Sequence, residues 1–287
     1  MTKQTPKSAL LIAGPTASGK SALAIAEAKK RNGVIINADS VQVYRELRIL
    51  SARPGVEEEA AVPHRLYGHV SGAENYSVAR WLIDVRVAMK KCWEHGQLPI
   101  LCGGTGLYFK AALEGLAEVP PIAPDVREKW RSFDGDVHAV LQERDAASAA
   151  RLNPADRQRI IRALEVVEGT GKPLRHWQAQ GQAHALLNHI NVELVFLDVP
   201  REVLHQRAER RFDAMMAQGA IDEVRILPDF DLAQPILKAI GVPELLAHLR
   251  GEIVLDEAVS RAKAATRQYI KRQTTWWRGQ MAGWQSS

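Results

Sequence analysis

The sequence has few cysteines and no long hydrophobic run. Its 287 residues include two cysteines, Cys92 and Cys102, too few for a disulfide-stabilised scaffold. Free thiols are typical of a reducing compartment, so we expect a cytoplasmic protein. No apolar stretch approaches the ~18 residues of a transmembrane helix. The run from Ala9 to Ala13 is short and is followed by glycine and proline, so we expect no membrane partner.

Acidic residues are absent from the C-terminal part of the chain. After Glu257 the sequence has no acidic residue and six basic ones: Arg261, Lys263, Arg267, Lys271, Arg272 and Arg278. The whole chain has a formal net charge of +5, so this segment accounts for all of the excess positive charge. Such a concentration indicates either a polyanionic partner or a solvated basic helix. The spacing of Lys263, Arg267 and Lys271 predicts one continuous basic stripe.

Short apolar runs alternate with helical patterns along much of the chain, whose composition (46% hydrophobic, 25% charged) is that of a globular protein. We expect strands near 9–13, 34–36, 98–102 and 192–199. We expect helices near 20–30, 78–95, from Pro200 to about 218, and over 255–281. Ser77 is a candidate N-cap for the second helix. This alternation is typical of an open parallel α/β sheet.

The stretch from 120 to 190 interrupts this alternation. It begins with Pro120, Pro121 and Pro124, and it then has a helical pattern without a strand signal. We therefore predict an α/β core formed by 1–119 and 191–287, with an inserted all-helical domain over 120–190 and a helical C-terminal region.

One motif points directly to chemistry. The residues Gly14, Pro15, Thr16, Ala17, Ser18, Gly19, Lys20 and Ser21 match G-x-x-x-x-G-K-[ST] between a predicted strand and a predicted helix. Backbone N–H groups and the lysine of such a loop bind phosphate oxygens, and the Ser21 hydroxyl is a candidate ligand for Mg²⁺. The motif predicts a bound di- or triphosphate without choosing a reaction. Asp198, after the last predicted strand, is either a second magnesium ligand or part of a turn.

Two further motifs follow predicted strands. Asp39-Ser40-Val41-Gln42 follows the second strand, and Gly103-Gly104-Thr105-Gly106 follows the third. Ligands of doubly wound sheets bind at the carboxyl ends of the strands. A carboxylate there can accept a proton from a nucleophile, although Asp39 is equally suited to an Asx turn.

Together, these motifs resemble the tRNA dimethylallyltransferase family, of the bacterial type without a zinc finger. The resemblance covers nearly the whole chain and extends through four further segments: NPADRQRIIRALEV (153–166), RFDAMMAQGAIDEV (211–224), ILKAIGVPEL (236–245) and TRQYIKRQTTWWR (266–278). It implies a P-loop NTPase-like fold and Mg²⁺ as the cofactor. We expect a monomer.

The resemblance also implies a reaction. A dimethylallyl group moves from dimethylallyl diphosphate to N6 of the adenosine directly 3′ of the tRNA anticodon, position 37, and diphosphate leaves. The phosphate loop then holds a leaving group instead of a nucleotide. By the same resemblance Asp39 is the base, Thr105 lies at the channel for the adenine, and Arg211 binds the diphosphate, with Arg207 and Arg210 as neighbouring alternatives.

Contacts with the tRNA anticodon stem-loop are implied for a larger set of residues. They are Asp39, Ser40, Val41, Gln42, Thr105, Arg127, Gln158, Arg159, Ile160, Ile161, Arg162, Lys271 and Arg272. Three other functions stay open: prenyl transfer to free AMP, ADP or ATP, a small-molecule kinase that depends on Asp198, and RNA binding without catalysis.

Overall fold

The computed structural model describes residues 7–181, 185–231, 234–281 and 284–286. The chain divides into two compact units, which we call the core unit (Met1–Lys110 and His189–Ser287) and the helical unit (Ala111–Asn188). The helical unit thus begins nine residues before the predicted position 120.

The core unit contains one parallel sheet. Its strands are β1 (Ser8–Ala13), β2 (Gly33–Asn37), β3 (His64–Arg65), β4 (Leu98–Gly103), β5 (Asn191–Phe196) and β6 (Gln285–Ser286). They lie in the order β3-β2-β4-β1-β5-β6, so β1 occupies the centre between β4 and β5. The predicted parallel α/β sheet is confirmed, and the two-residue strands β3 and β6 are additional.

The central strands form because their side chains are almost all apolar. All five residues of β2 and five of the six in β1 and β4 are buried. Continuous apolar runs of this kind suit parallel strands that are covered on both faces. Leu10, Ile12, Ile35 and Ile100 share one buried cluster with Ala24 and Ala28.

Helices surround these strands and make up the inserted segment. They are α1 (Lys20–Arg31), α2 (Val56–Ala61), α3 (Val78–Glu94), α4 (Gly106–Glu114), α5 (Pro124–Ser132), α6 (Val137–Arg144), α7 (Ala146–Ala149), α8 (Arg157–Thr170), α9 (Leu174–Gly181), α10 (Arg201–Ala217), α11 (Ala220–Arg225), α12 (Val242–Leu249) and α13 (Leu255–Gln280). None of the helices in the described ranges is long and apolar enough to cross a membrane.

Local sequence signals set the ends of the early helices. The α1 helix begins after Gly19 and ends at Asn32, both with left-handed backbone, and the Asn32 N–H donates to the Ala28 carbonyl. Ser77 caps α3, because its hydroxyl accepts a hydrogen bond from the Arg80 N–H at 3.2 Å. The prediction for Ser77 is therefore confirmed.

The long C-terminal helix α13 packs along one buried stripe. Its inward residues are Ala258, Ala262, Thr266, Ile270, Gln273 and Trp277. Near its end the Trp277 ring contacts Phe109 and Phe196, with ring centroids 5.5 and 5.3 Å apart. This aromatic contact anchors α13 beside β5 and the start of α4.

The helical unit has its own core. Helix α8 contributes three fully buried apolar residues, Ile160, Ala163 and Leu164, which pack with Trp130 of α5 and Leu141 of α6. Within 111–181 and 185–188 the structure contains helices and no strand. The unit therefore buries enough apolar surface to form a separate cluster.

Candidate functional site

Three loops emerge from neighbouring strand ends. Parallel pairing places Ala13 of β1 beside Gly103 of β4, and Asn37 of β2 beside Cys102 of β4. The phosphate loop after β1, the Asp39 turn after β2 and the Gly104–Thr105 turn after β4 therefore start at the same edge. This edge is where open α/β sheets bind their ligands.

Gly103 makes this convergence sterically possible. A Cβ at this position would lie 2.0 Å from the carbonyl oxygen of Ala38. The two turns are also joined by hydrogen bonds, because the Ala38 N–H donates to the Cys102 carbonyl at 2.8 Å. The Thr105 N–H in turn donates to the Ala38 carbonyl at 3.3 Å. Only glycine allows the backbones to approach this closely.

The phosphate loop has the geometry of an anion cradle. Ala17 and Gly19 have positive φ angles of 64° and 95°, which curl the backbone toward the N-terminus of the 12-residue helix α1. The first N–H groups of a helix lack partners within it and attract anions. The Ser18 hydroxyl is buried and has no hydrogen-bond partner in the described part of the chain. A phosphate group fits such a set of donors.

Two cations lie beside the loop. The Lys20 ammonium is 3.4 Å from the Pro15 carbonyl oxygen, and the Arg211 guanidinium donates to the Thr16 hydroxyl at 2.7 Å. Burial lowers the pKa of Lys20, and Arg211 acts in the same direction, while Cys102 and Asp39 oppose them. Burial also lowers the pKa of Arg211, and Asp39 opposes it. Both cations would gain electrostatic stabilisation from a bound polyanion.

The three neighbouring arginines of α10 are now distinguished. Arg211 is half-buried and contacts the phosphate loop. Arg207 and Arg210 are exposed, and the Arg210 Nε atom donates to the Gln206 carbonyl of the same helix. The contact of Arg211 with the loop thus favours it as the diphosphate ligand.

Asp39 lies in a turn that uses one of its carboxylate oxygens, and the other oxygen faces Gly104. The buried Asn37 side chain holds this turn, accepting from the Asp39 N–H at 2.8 Å and donating to the Asp39 carbonyl at 2.9 Å. Asp39 Oδ1 accepts from the Val41 N–H at 3.0 Å, which is an Asx turn. Asp39 Oδ2 lies 3.5 Å from the position of a Cβ on Gly104. The residue therefore combines a turn with a carboxylate that faces the next strand end.

Hydrogen bonds between Thr105 and Ser40 link the Asp39 turn to the Gly104–Thr105 turn. The Thr105 hydroxyl accepts from the Ser40 N–H at 3.0 Å and lies 3.3 Å from the Ser40 hydroxyl. Behind them Trp81 donates to the Asn37 carbonyl at 2.8 Å and stacks on Tyr108 with centroids 4.4 Å apart. These contacts fix the turns on a rigid aromatic base.

The loop after Asp39 depends on residues that the sequence did not single out. The buried carboxylate of Glu223, in α11, accepts hydrogen bonds of 2.6 to 2.9 Å from the N–H groups of Arg48, Ile49 and Leu50. The Gln42 amide nitrogen donates to the carbonyls of Ser51 and Ala52. Val41 and Gln42 are half-buried, and their contacts with tRNA stay a prediction.

The burial of Ile160 in the helical unit contradicts one predicted tRNA contact. Ile160 is fully buried in the core of this unit, so the predicted tRNA contact is wrong for its side chain. Ile161 is partly buried against the same cluster. The family resemblance implies one tRNA-contact segment that includes both, but the helical period turns them inward.

The polar residues predicted to contact tRNA in the helical unit are accessible. Arg127 and Gln158 are exposed. Arg159 pairs with Asp156 at 3.1 Å and Arg162 with Glu165 at 3.2 Å. The carboxylate of Glu165 is buried, so the ion pair holds Arg162 in one orientation.

The predicted continuous basic stripe on α13 is wrong in its first half. Lys263 pairs with Asp213 and Arg267 with Glu209, each at 2.6 Å, so these cations connect α13 to α10. Lys271 and Arg272 are exposed, and no carboxylate among the described residues pairs with either. The available positive charge is therefore concentrated at Lys271 and Arg272.

Asp198 does not join the phosphate loop by any observed contact among the described residues. It follows the end of β5 and lies 3.6 Å from the Arg278 guanidinium on α13. This ion pair joins the end of β5 to α13, and a magnesium ligand at Asp198 stays a prediction.

Gln273 is the second residue that the sequence pattern did not reveal. It is 6% exposed, its Oε1 accepts from the Thr16 N–H and its Nε2 donates to the Gly104 carbonyl, both at 2.9 Å. The available signal was its position: it is an amide within the otherwise mainly apolar buried stripe of α13. Buried amides require partners, so such a residue points to a polar neighbour.

The site and fold have clear counterparts among known proteins. The chain matches the family described as IPP transferase over residues 42–280, and residues 7–71 match the family described as isopentenyl transferase. The tRNA dimethylallyltransferase of Rhodospirillum rubrum is 54% identical over 279 residues, covering 95% of this chain and 85% of that protein. The tRNA dimethylallyltransferase of Azorhizobium caulinodans is 52% identical over 283 residues, covering 96% and 90%.

Solved structures give the same relationship. A eukaryotic dimethylallyltransferase acting on tRNA aligns with a TM-score of 0.81 and 29% identity, covering 94% of this chain and 70% of that chain. The full-length tRNA isopentenylpyrophosphate transferase of Bacillus halodurans aligns with a TM-score of 0.69 and 33% identity, covering 98% and 90%.

Arg211 and Arg210 provide a matched test of the cradle. We expect Arg211→Ala to weaken binding of inorganic diphosphate by about 10- to 100-fold, because a charged hydrogen-bond donor contributes roughly 1.5–3 kcal/mol. Arg210→Ala should change the affinity less than about threefold, since Arg210 is exposed. Isothermal titration calorimetry measures both, and equal losses in the two variants would contradict the assignment.

Proposed function

The chain belongs to the tRNA dimethylallyltransferase family, and from this membership and the geometry of the strand ends we propose which of its residues carry the reaction. The chain is a tRNA dimethylallyltransferase that prenylates A37 of tRNA. The observation on which the residue roles rest is the meeting of the phosphate loop, the Asp39 turn and the Gly104–Thr105 turn at one edge of the sheet.

The phosphate loop is the donor site. Residues Gly14 to Ser21 bind the diphosphate of dimethylallyl diphosphate through backbone N–H groups, the Ser18 hydroxyl and the first turn of α1. Lys20 and Arg211 neutralise the charge that develops on the leaving diphosphate. Their contacts with the loop, at the Pro15 carbonyl and the Thr16 hydroxyl, support this role. Electrostatic stabilisation of a leaving group is often the largest catalytic contribution.

Magnesium fits this donor site with few protein ligands. The exposed hydroxyl of Ser21, in the first turn of α1, is the candidate ligand. No group of three or more His, Cys, Asp or Glu side chains in the described residues could hold a metal. Diphosphate oxygens and water would complete the shell, as is usual for Mg²⁺ in phosphate sites. The ion would add positive charge next to the leaving group.

Asp39 accepts the proton on the acceptor side. The N6 nitrogen of the adenine attacks C1 of the dimethylallyl group, the C1–O bond breaks, and its electron pair leaves with the diphosphate. The N6 proton moves to the Asp39 carboxylate. Thr105 and Ser40, joined by hydrogen bonds, flank the adenine beside Asp39.

The adenine must leave the stacked anticodon loop to reach this edge. Extrusion of a base costs a few kcal/mol, which contacts with the rest of the tRNA offset. On the helical unit Arg127, Gln158, Arg159 and Arg162 supply such contacts through polar groups. On α13 Lys271 and Arg272 supply unpaired positive charge for the phosphate backbone.

The free cysteines indicate the cellular compartment in which the reaction takes place. Both cysteines are free and buried, which suits a reducing compartment, and we propose a cytoplasmic enzyme that acts as a monomer.

Free adenine nucleotides are the alternative acceptor. They would need the phosphate loop and Asp39, but not the arginines of the helical unit or the free charge at Lys271 and Arg272. These features favour tRNA.

The acceptor is tested by transfer of labelled dimethylallyl diphosphate to undermodified tRNA, with AMP and ATP as parallel acceptors. We expect label on tRNA only, with a requirement for Mg²⁺. Lys20→Ala should abolish the transfer because the leaving group loses one of the two cations beside the phosphate loop. Lys30→Ala, on the exposed end of the same helix, is the matched control and should retain transfer. Label on AMP or ATP alone would reject tRNA as the acceptor.

The charge at Lys271 and Arg272 makes a separate prediction. Reversal of both to Glu should weaken tRNA binding and make its dependence on salt shallower, by about 0.7–0.9 in log–log slope for each lost phosphate contact. Reversal of the adjacent exposed residues Lys29 and Lys30 changes the net charge equally and serves as the control. A filter-binding series in KCl gives the salt dependence of tRNA binding for both variants. An unchanged slope after reversal of Lys271 and Arg272 would mean that these residues are solvated and do not contact tRNA.

A further inference from the structure

Gln273 connects the two halves of the site through one side chain. Its Oε1 atom accepts a hydrogen bond from the Thr16 N–H in the phosphate loop, and its Nε2 atom donates one to the Gly104 carbonyl in the turn after β4. Both bonds are 2.9 Å long, and the side chain is almost completely buried. The phosphate loop and the Gly104–Thr105 turn are thus held by the two polar atoms of one planar amide.

The amide also lies next to the reacting carboxylate. A Cβ on Gly104 would lie 2.5 Å from Gln273 Nε2 and 3.5 Å from Asp39 Oδ2. Gln273 and Asp39 therefore both approach Gly104 on the side where a Cβ would lie. A shift of Gly104 would move the adenine pocket relative to the diphosphate.

Thr16 is fixed from two directions. Its N–H is bound to Gln273, and its hydroxyl accepts from Arg211 at 2.7 Å. Its N–H is thus already committed before a phosphate binds. The open N–H donors of the cradle therefore come from later in the loop and from the start of α1, and Gln273 sets their position through Thr16.

The helix that carries Gln273 is itself rigid at this point. Ile270 and Trp277, on either side of it along α13, are buried, and Trp277 packs against Phe109 and Phe196. This packing and the two hydrogen bonds of the amide fix its plane, which a freely rotating side chain would not provide.

We propose that Gln273 is a positioning residue that sets the distance between the bound allylic diphosphate and the adenine acceptor. This proposal rests on the prenyl transfer assigned above and concerns its geometry. Loss of the amide leaves each half able to bind its substrate but misaligns the C1 atom with N6. Water then competes: its oxygen bonds to C1, the C1–O bond to diphosphate breaks, and a proton passes to solvent, giving dimethylallyl alcohol and diphosphate.

Glutamate at this position separates positioning from packing. It has nearly the same shape, and its carboxylate can accept from the Thr16 N–H, but it has no proton for the Gly104 carbonyl. Burial raises the pKa of such a carboxyl group, and the protonated acid regains an O–H donor. The Gln273→Glu variant should therefore improve relative to wild type as the pH falls.

The experiment compares Gln273→Glu, Gln273→Met and the control Gln268→Met with the wild type over pH 5.5–8.5. Gln268 is exposed on the same helix. Single-turnover assays measure labelled tRNA and labelled dimethylallyl alcohol, and titrations measure affinity for tRNA and for inorganic diphosphate. At pH 8 we expect transfer by Gln273→Glu to fall about 10- to 100-fold. Affinities should stay within about threefold and the proportion of alcohol should rise.

The outcomes separate positioning by the Gln273 amide from a role in packing alone. If transfer by Gln273→Glu, relative to the wild type, rises as the pH falls, the result supports positioning by the amide. Wild-type transfer by Gln273→Glu at every pH would overturn it, as would a loss that is independent of pH and accompanied by equal losses in both affinities. If Gln273→Met does not fold, the pH profile of Gln273→Glu still decides. Absence of transfer in both the wild type and Gln268→Met would instead reject the prenyl transfer itself.

Discussion

The parallel register of β1, β2 and β4 is the constraint on which the site depends. Hydrogen bonding between these strands places Ala13 beside Gly103 and Asn37 beside Cys102. Three loops then leave the sheet at one edge, and the missing Cβ at Gly103 lets two of them touch. A slip of one residue would turn the strand faces over and separate the loops. Catalytic geometry is thus a consequence of how the core packs.

The electrostatics of this edge follow from its burial. Lys20 and Arg211 are cations in surroundings that lower the pKa of each, because burial disfavours the charged form. Burial also raises the pKa of the neighbouring Cys102 thiol, to about 12. Asp39 is the acidic group that acts on both cations. An incoming diphosphate supplies the missing negative charge, so substrate binding completes the site.

Local signals in the sequence predicted the elements and the strand-end loops. The phosphate loop, the Asp39 turn and the cap at Ser77 each depend on a few adjacent residues, so their patterns could be read directly. The burial of Ile160 followed from helical periodicity within α8 and could also have been predicted. The ion pairs of Lys263 and Arg267 depend on residues of α10 that lie 50 and 58 positions away, and local spacing carries no information about them. The same holds for Glu223 and Gln273, whose partners lie 169 to 257 residues away in the sequence.

We propose that the carboxylate of Asp39 takes the proton where the phosphate loop meets the turns after β2 and β4. The direct measurement is single-turnover prenyl transfer to tRNA by Asp39→Asn, with Asp198→Asn as the control at the other strand end. Asparagine preserves the acceptor for the Val41 N–H, so the turn should remain. We expect the rate of transfer to fall about 10²- to 10⁴-fold in Asp39→Asn with unchanged tRNA affinity, and less than about threefold in Asp198→Asn. Transfer by Asp39→Asn at the wild-type rate would contradict this proposal.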